Sequence, residues 1–130
     1  MIVLDASVLI AHLDADDAHH DRARTFLGDI AGEGLAANLL TLAEVLVGPA
    51  RIGQLDQTNA ALRRLQVDTL GFDQHAPVRL ATLRATTSLR LPDCCVLLAT
   101  EQTGASLATF DERLAAAARS HGHTVLGQPA

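Results

Sequence analysis

The sequence predicts an α/β fold, a mostly parallel central sheet of four to five strands flanked by helices. Two observations carry this expectation. Short apolar runs of strand length alternate along the chain with stretches whose apolar residues recur at helical spacing. Those runs are also nearly continuous in Val, Leu, Ile and Ala, as in parallel strands covered by helices on both faces. Length sets the scale. The chain has 130 residues, close to the usual size of one domain and long enough to bury a core without staples. No repeat, linker or low-complexity segment divides it, so one domain over residues 1–130 is expected.

Each element follows from its residues. Residues 2–5, Ile2-Val3-Leu4-Asp5, read as a short buried strand. Residues 6–14 continue as a helix with Val8, Leu9 and Leu13 on its apolar face. Asp14 to Asp17 form an acidic connector. Residues 20–30 read as a second helix, with Ala23, Phe26, Leu27 and Ile30 at helical spacing, and Gly32 and Gly34 break it. Residues 35–40 form the second strand, and Thr41 opens a helix to about Arg51. Residues 54–65 turn Leu55, Leu62 and Leu65 inward. A third strand spans residues 67–72 and a helix spans 76–88. Pro92 suits the first turn of the next helix, which ends at Gly104. Residues 105–110 are the fourth strand, residues 111–120 the last clear helix, and residues 123–126 a fifth, edge strand.

Composition narrows the function. Only 2% of residues are aromatic, three Phe with no Tyr or Trp, so the core is aliphatic and the stacking platforms of many RNA-binding modules are missing. A net charge of −5 argues against a protein held to nucleic acid by charge alone. All ten basic residues are Arg, which excludes any chemistry that needs a lysine. Two adjacent cysteines, Cys94 and Cys95, form no disulfide framework and fit a cytoplasmic setting. The first residues lack the basic stretch of a secretory signal, and no apolar run approaches the ~20 residues of a membrane span.

The chemistry lies in four acids. Asp5 ends the first strand, Glu44 lies in Thr41-Leu42-Ala43-Glu44-Val45, Asp93 follows Arg90-Leu91-Pro92, and Asp111 closes Leu107-Ala108-Thr109-Phe110-Asp111. Strand ends and helix starts share one edge of a parallel sheet, and ligands bind there. Each acid also has a structural reading. Asp5 could cap the following helix, Thr41 with Glu44 and Thr109 with Glu112 match capping boxes, and Asp93 suits a helix dipole. Capping, however, does not require an acid. Gathered carboxylates repel unless a cation joins them, and magnesium or manganese suits an all-oxygen site. Two-metal phosphoryl chemistry needs several anionic oxygens around ions about 3.5–4 Å apart. A metal-dependent phosphodiesterase is the leading reading.

Taken in order, Ile2-Val3-Leu4-Asp5-Ala6-Ser7-Val8-Leu9-Ile10, Thr41-Leu42-Ala43-Glu44-Val45, Arg90-Leu91-Pro92-Asp93 and Ala108-Thr109-Phe110-Asp111 span nearly the whole chain. In these pieces the chain resembles PIN-domain ribonucleases, and among them the VapC-type toxins of bacterial toxin–antitoxin pairs. The resemblance implies a PIN-like three-layer sandwich. It implies a Mg2+- or Mn2+-dependent endoribonuclease, the toxin of a type II toxin–antitoxin pair. Asp5, Glu44, Asp93 and Asp111 would form its metal centre, Asp5 and Asp93 directly and the other two partly through water or a second ion. Cleavage would leave 5′-phosphate and 3′-hydroxyl ends. Ser7 and Thr109 fall where family hydroxyls support the acids, although ordinary helix-start polarity explains them equally. A cognate antitoxin and a homodimer are also implied, and the apolar helices over residues 20–30 and 41–65 are consistent with interfaces.

The remaining residues weigh less. Arg90 and Arg113 lie close in sequence to Asp93 and Asp111 and are the expected contacts to RNA phosphates. Arg51, Arg79 and Arg84 are further basic candidates, and Arg63, Arg64 and Arg119 read as solvated helix faces. His12, His19 and His20 beside the acidic connector match no zinc pattern, and His121 and His123 read as surface residues. Cys94 and Cys95 read as small buried residues, not nucleophiles. A haloacid-dehalogenase-type phosphatase would need Asp where Ser7 stands, and it and a response-regulator receiver would need Lys. The competing class is a non-catalytic nucleic-acid- or protein-binding module on the same fold.

Overall fold

The computed structural model of the protein describes residues 1–129. Its elements are β1 (Ile2–Leu4), α1 (Ala6–Leu13), α2 (His20–Ile30), a 3-10 turn (Ala31–Glu33), β2 (Leu35–Asn38), α3 (Leu39–Arg51) and α4 (Leu55–Arg64). Then follow β3 (Val67–Leu70), α5 (Ala76–Thr86), α6 (Leu91–Thr103), β4 (Ser106–Ala108), α7 (Glu112–Ser120) and β5 (Val125–Leu126). The strands form one sheet in the order β3-β2-β1-β4-β5, and every neighbouring pair is parallel. Each expected element is therefore present, and the sheet is wholly rather than mostly parallel.

Side chains alternate across β1 and so define two cores. Val3 points to one face, with Leu107 of β4, Leu83 of α5, Val96 and Leu97 of α6, and Leu114 of α7. Ile2 and Leu4 point to the other, with Val8 and Leu9 of α1, Leu27 of α2, Val45 of α3 and Leu62 of α4. The result is a three-layer sandwich. Helix α6 is buried without interruption from Cys94 to Thr100, so its apolar character runs all round rather than in a stripe. Both cysteines are free and buried there, and burial pushes both thiols up, as expected of inert packing residues. Gly104 ends α6 at φ 66°, in the left-handed region, where glycine avoids the Cβ clash.

One local expectation is corrected. Helix α3 starts at Leu39, not at Thr41, and no capping box joins Thr41 to Glu44. Asn38, fully buried, is the cap: its Oδ1 accepts from the N–H groups of Leu40 and Thr41, at 2.9 Å each, and its Nδ2 donates to Thr41 Oγ1 at 2.9 Å. Asn at this position satisfies two orphan donors of the helix start. Glu44 consequently lies in the second turn, with its carboxylate free of backbone duty.

The chain fills one side of the sheet first, from β1 through β2 to β3, and then crosses to β4 and β5. The strand order reverses between β1 and β4. Their carboxyl ends thus flank the crevice where open α/β sheets bind ligands.

Candidate active site

Asp5 leaves the end of β1 at that crevice. It occupies the cap position of α1 but its side chain makes no cap bond. Instead Oδ2 accepts from Ser7 Oγ and from Thr109 Oγ1, each at 2.8 Å. The residue is 7% exposed and Thr109 is fully buried. Two hydroxyls on one oxygen fix the carboxylate plane, and among the described residues Oδ1 carries no protein bond. Both hydroxyls have further partners. Ser7 Oγ accepts from the Phe110 N–H at 3.0 Å, and Thr109 Oγ1 accepts from the Asp111 N–H at 3.0 Å. Ser7 and Thr109 therefore hold the acid and tie β1 to the turn after β4, and Thr109 takes no part in a capping box with Glu112.

The other acids come from α3, α6 and the cap position of α7. Asp93 is the third residue of α6, behind Pro92, and half-buried. Glu44 comes from α3 and is exposed. Asp111 is a true cap: its Oδ1 accepts from the N–H groups of Arg113 at 2.9 Å and Leu114 at 3.4 Å. The structural reading is thus right for Asp111 and wrong for Asp5 and Glu44.

Electrostatics shows that these acids share one field. Burial, then the charges of Asp5 and Asp111, push the Asp93 carboxyl up, while Arg90 and Arg113 pull it down. Partial burial, then Asp5 and Asp93, push Glu44 up, and Arg90 opposes. Glu44 is largely open to water, so screening moderates these effects. Among the described residues, no three acidic, His or Cys side chains already converge on one ligating point. Bare carboxylates repel, so closing such a cluster takes a cation.

These shifts make a stability prediction. Asp93 and Glu44 hold protons more tightly in the folded chain than in the unfolded one. Ionising them therefore costs stability as pH rises from the ordinary carboxylate range, about 3.9–4.3, through their raised folded values. Ion-free protein melted at a series of mildly acidic to neutral pH values should lose stability through this window. Asp93→Asn should flatten that slope. A variant slope as steep as the parent's would show that folding does not raise the Asp93 carboxyl.

The basic candidates divide. Arg90 precedes α6 and is exposed, within the field of Glu44 and Asp93. Arg113 reaches the Ser88 carbonyl at 3.3 Å and is felt by Asp93. Arg79 is committed elsewhere, to Glu101 at 2.6 Å. His20 Nδ1 bonds the Ala11 carbonyl at 2.9 Å, and burial, then His20 and Arg24, lower His12. Composition suggested no stacking platform, yet two of the three Phe, Phe26 and Phe110, meet beside the acids, with ring centroids 5.8 Å apart. Arg22 lies over the Phe110 ring at 4.0 Å. The signal in the sequence was Phe110 itself, set between Thr109 and Asp111.

Known proteins share this arrangement of elements. A chain of a toxin–antitoxin complex from Klebsiella pneumoniae superposes with a TM-score of 0.69 at 24% identity, over 88% of this chain and 91% of that one. VapC20 from Mycobacterium tuberculosis, described as a sarcin–ricin loop cleaving toxin, gives a TM-score of 0.77 at 17% identity, over 90% and 95%. FitAcB from Neisseria gonorrhoeae gives 0.70 at 21% identity, over 96% of each chain. At these identities the likeness is one of fold. No curated protein matches the sequence significantly. The family profile described as PIN domain matches residues 2–120, which include every strand but β5 and all four acids, and the chain belongs to the PIN-domain family.

Proposed function

We propose that this protein is a metal-dependent endoribonuclease, a single nuclease domain serving as the toxin of a type II toxin–antitoxin pair. One observation carries the reading. Asp5, locked by Ser7 and Thr109 at the strand-order reversal, shares its field with Glu44 and Asp93 from two separate helices. Caps alone would not bring these charges together against their repulsion. The relatives support the biological setting, since one is described as a toxin that cleaves the sarcin–ricin loop and another as part of a toxin–antitoxin complex.

The donor set fits magnesium or manganese, being all oxygen and anionic. Asp5, through its free Oδ1, and Asp93 would hold an ion directly. Glu44 and the remaining oxygen of Asp111 would complete the shell. When bound, the ion supplies Lewis acidity, acidifying water and offsetting phosphate charge. The chain does the rest. Ser7 and Thr109 keep Asp5 from rotating. Arg90 and Arg113, beside the acids, receive the RNA phosphates that this acidic edge would otherwise repel. Attack in line would leave a 5′-phosphate and a 3′-hydroxyl.

An antitoxin has a surface to occupy. Ile10, Leu13, Val45, Pro49 and Ile52, with Glu44, line a groove of about 380 Å³. Leu39, Leu40, Val47 and Leu55 add exposed apolar area on and after α3, of the kind that partner segments and second copies cover. A partner Arg placed among the carboxylates would pair with them bidentately and exclude both ion and RNA.

The test is direct. Purified protein with magnesium or manganese should cut single-stranded RNA internally, and the products should be substrates for ligation at their 5′-phosphate ends. The product of an adjacent small gene should co-purify and silence the activity. Failure to cut any of a broad set of cellular RNAs would sink the ribonuclease reading.

A further inference from the structure

A second groove, of about 670 Å³, opens at Phe110 between α2 and the segment after β5. Asp21, Arg22, Thr25, Phe26 and Asp29 of α2 form one wall, and Phe110 with Gly127, Gln128 and Pro129 forms the other. Two hydrogen-bonded links join the groove to the site. Phe110 donates its N–H to Ser7, the hydroxyl that holds Asp5. The carbonyl of Thr109, whose side chain also holds Asp5, accepts from Gln128 Nε2 at 2.8 Å.

The groove is built to hold one planar cation. The Arg22 guanidinium lies over the Phe110 ring, 4.0 Å from its centroid, and donates to the Gly127 carbonyl. Phe26 and His19 pack against the same ring, at centroid distances of 5.8 and 6.2 Å. Gly127 sits at φ 93°, and a Cβ there would stand 3.0 Å from the Thr109 carbonyl and 3.4 Å from the Phe110 ring. Only glycine lets the chain approach this closely. The guanidinium is thus backed by an aromatic ring and tethered by a backbone carbonyl, while the residue remains only half-buried.

Resting on the ribonuclease reading above, we propose that this groove is a base-binding subsite, in which one nucleobase of the RNA flanking the cleaved bond stacks on the Arg22 guanidinium supported by Phe110. Unstacked bases of single-stranded RNA are held on aromatic rings or Arg planes in this way. Asp21 and Asp29 on the rim accept hydrogen bonds and repel phosphate, so they suit a base edge rather than the backbone. Guanine, whose edge donates from N1 and N2, fits these acceptors better than uracil.

The experiment uses the full chain carrying Asp93→Asn, so that RNA stays intact. The probes are the shortest oligoribonucleotide that the parent protein cleaves and a set in which each base in turn is replaced by an abasic ribose. Fluorescence anisotropy should find one position, next to the cleaved bond, where base removal weakens binding about tenfold. Arg22→Lys keeps the charge but not the plane. It should weaken the intact strand by a similar factor and leave the strand abasic at that position unchanged. Guanine there should bind more tightly than uracil. Phe110→Leu, which keeps an apolar filling, should shift affinity in the same direction and decides the matter if Arg22→Lys melts early. Equal weakening of intact and abasic strands would make Arg22 a phosphate contact and overturn the subsite. No effect of either variant would reduce the stack to packing and overturn it too. Tighter binding of uracil would overturn the assignment of the base edge to Asp21 and Asp29. If the parent cleaves no RNA at all, the ribonuclease reading fails and the subsite with it, whereas cleavage with unaltered base preference in both variants removes the subsite alone.

Discussion

Asp5→Asn and Asp93→Asn are each expected to lower RNA cleavage about a thousandfold while leaving the protein folded. Charge stabilisation at a metal-dependent phosphoryl site amounts to several kcal/mol, and each ~1.4 kcal/mol is a factor of ten in rate. Asn is the informative replacement because it preserves shape. At position 5 it still offers an oxygen to Ser7 and Thr109, so the two 2.8 Å bonds can persist. No helix cap is lost, since the Asp5 side chain makes no cap bond. Removing one charge from a repulsive group should leave the melting temperature of ion-free protein unchanged or raise it. Thr109→Val makes the internal comparison. It removes one of the two bonds that orient Asp5 and leaves the Asp111 N–H without its 3.0 Å acceptor, so activity should fall about ten- to a hundredfold, the usual cost of losing a supporting partner of a ligand. Kinetics on one RNA with all three variants, together with circular dichroism, would settle the order. A fully active Asp5→Asn protein would reduce Asp5 to a structural residue.

Chelation is the other large effect. With excess chelator, cleavage should fall to background, and added magnesium or manganese should restore it. The acids alone offer no nucleophile, and Cys94 and Cys95 are buried with thiols pushed up. The same experiment has a structural arm. The two cores lie against the sheet faces and owe nothing to the acidic edge, so the chelated protein should keep its far-ultraviolet spectrum. Affinity for the ion should weaken as pH falls toward the carboxyl values, because the ligands must be ionised to bind. Undiminished cleavage in chelator would remove the metal from the reaction, and a spectrum that collapsed on chelation would show that the ion holds the fold together.

The elements themselves were legible along the chain. Ile2-Val3-Leu4, Leu35-Ala36-Ala37 and Leu107-Ala108 are apolar because helices cover both sheet faces, and that pattern survives in one dimension. The helix from Leu91 was equally plain, bounded by Pro92 and Gly104. Boundaries were less so. Thr41 looks like a helix start, and Asn38 takes that role because its buried side chain can reach two N–H groups and a hydroxyl at once. Motif spacing does not weigh such rival caps against each other.

Strand alternation, the four acids and the lack of lysine follow from local sequence, and they were enough to name a parallel α/β fold and an oxygen-rich anionic site. Which acid is a cap and which is free was decided by folding, because it depends on contacts between residues far apart in the chain. Thr109 reaches Asp5 across 104 positions, and that bond separates Asp5 from Asp111, an acid in a similar local context that spends an oxygen on its own helix. The pairing of Arg22 with Phe110 arose in the same way. Two rings in a chain nearly without aromatics carry no signal as composition. They become a surface only when β4, β5 and α2 bring them to one edge, where dispersion and the ring quadrupole hold the guanidinium over Phe110.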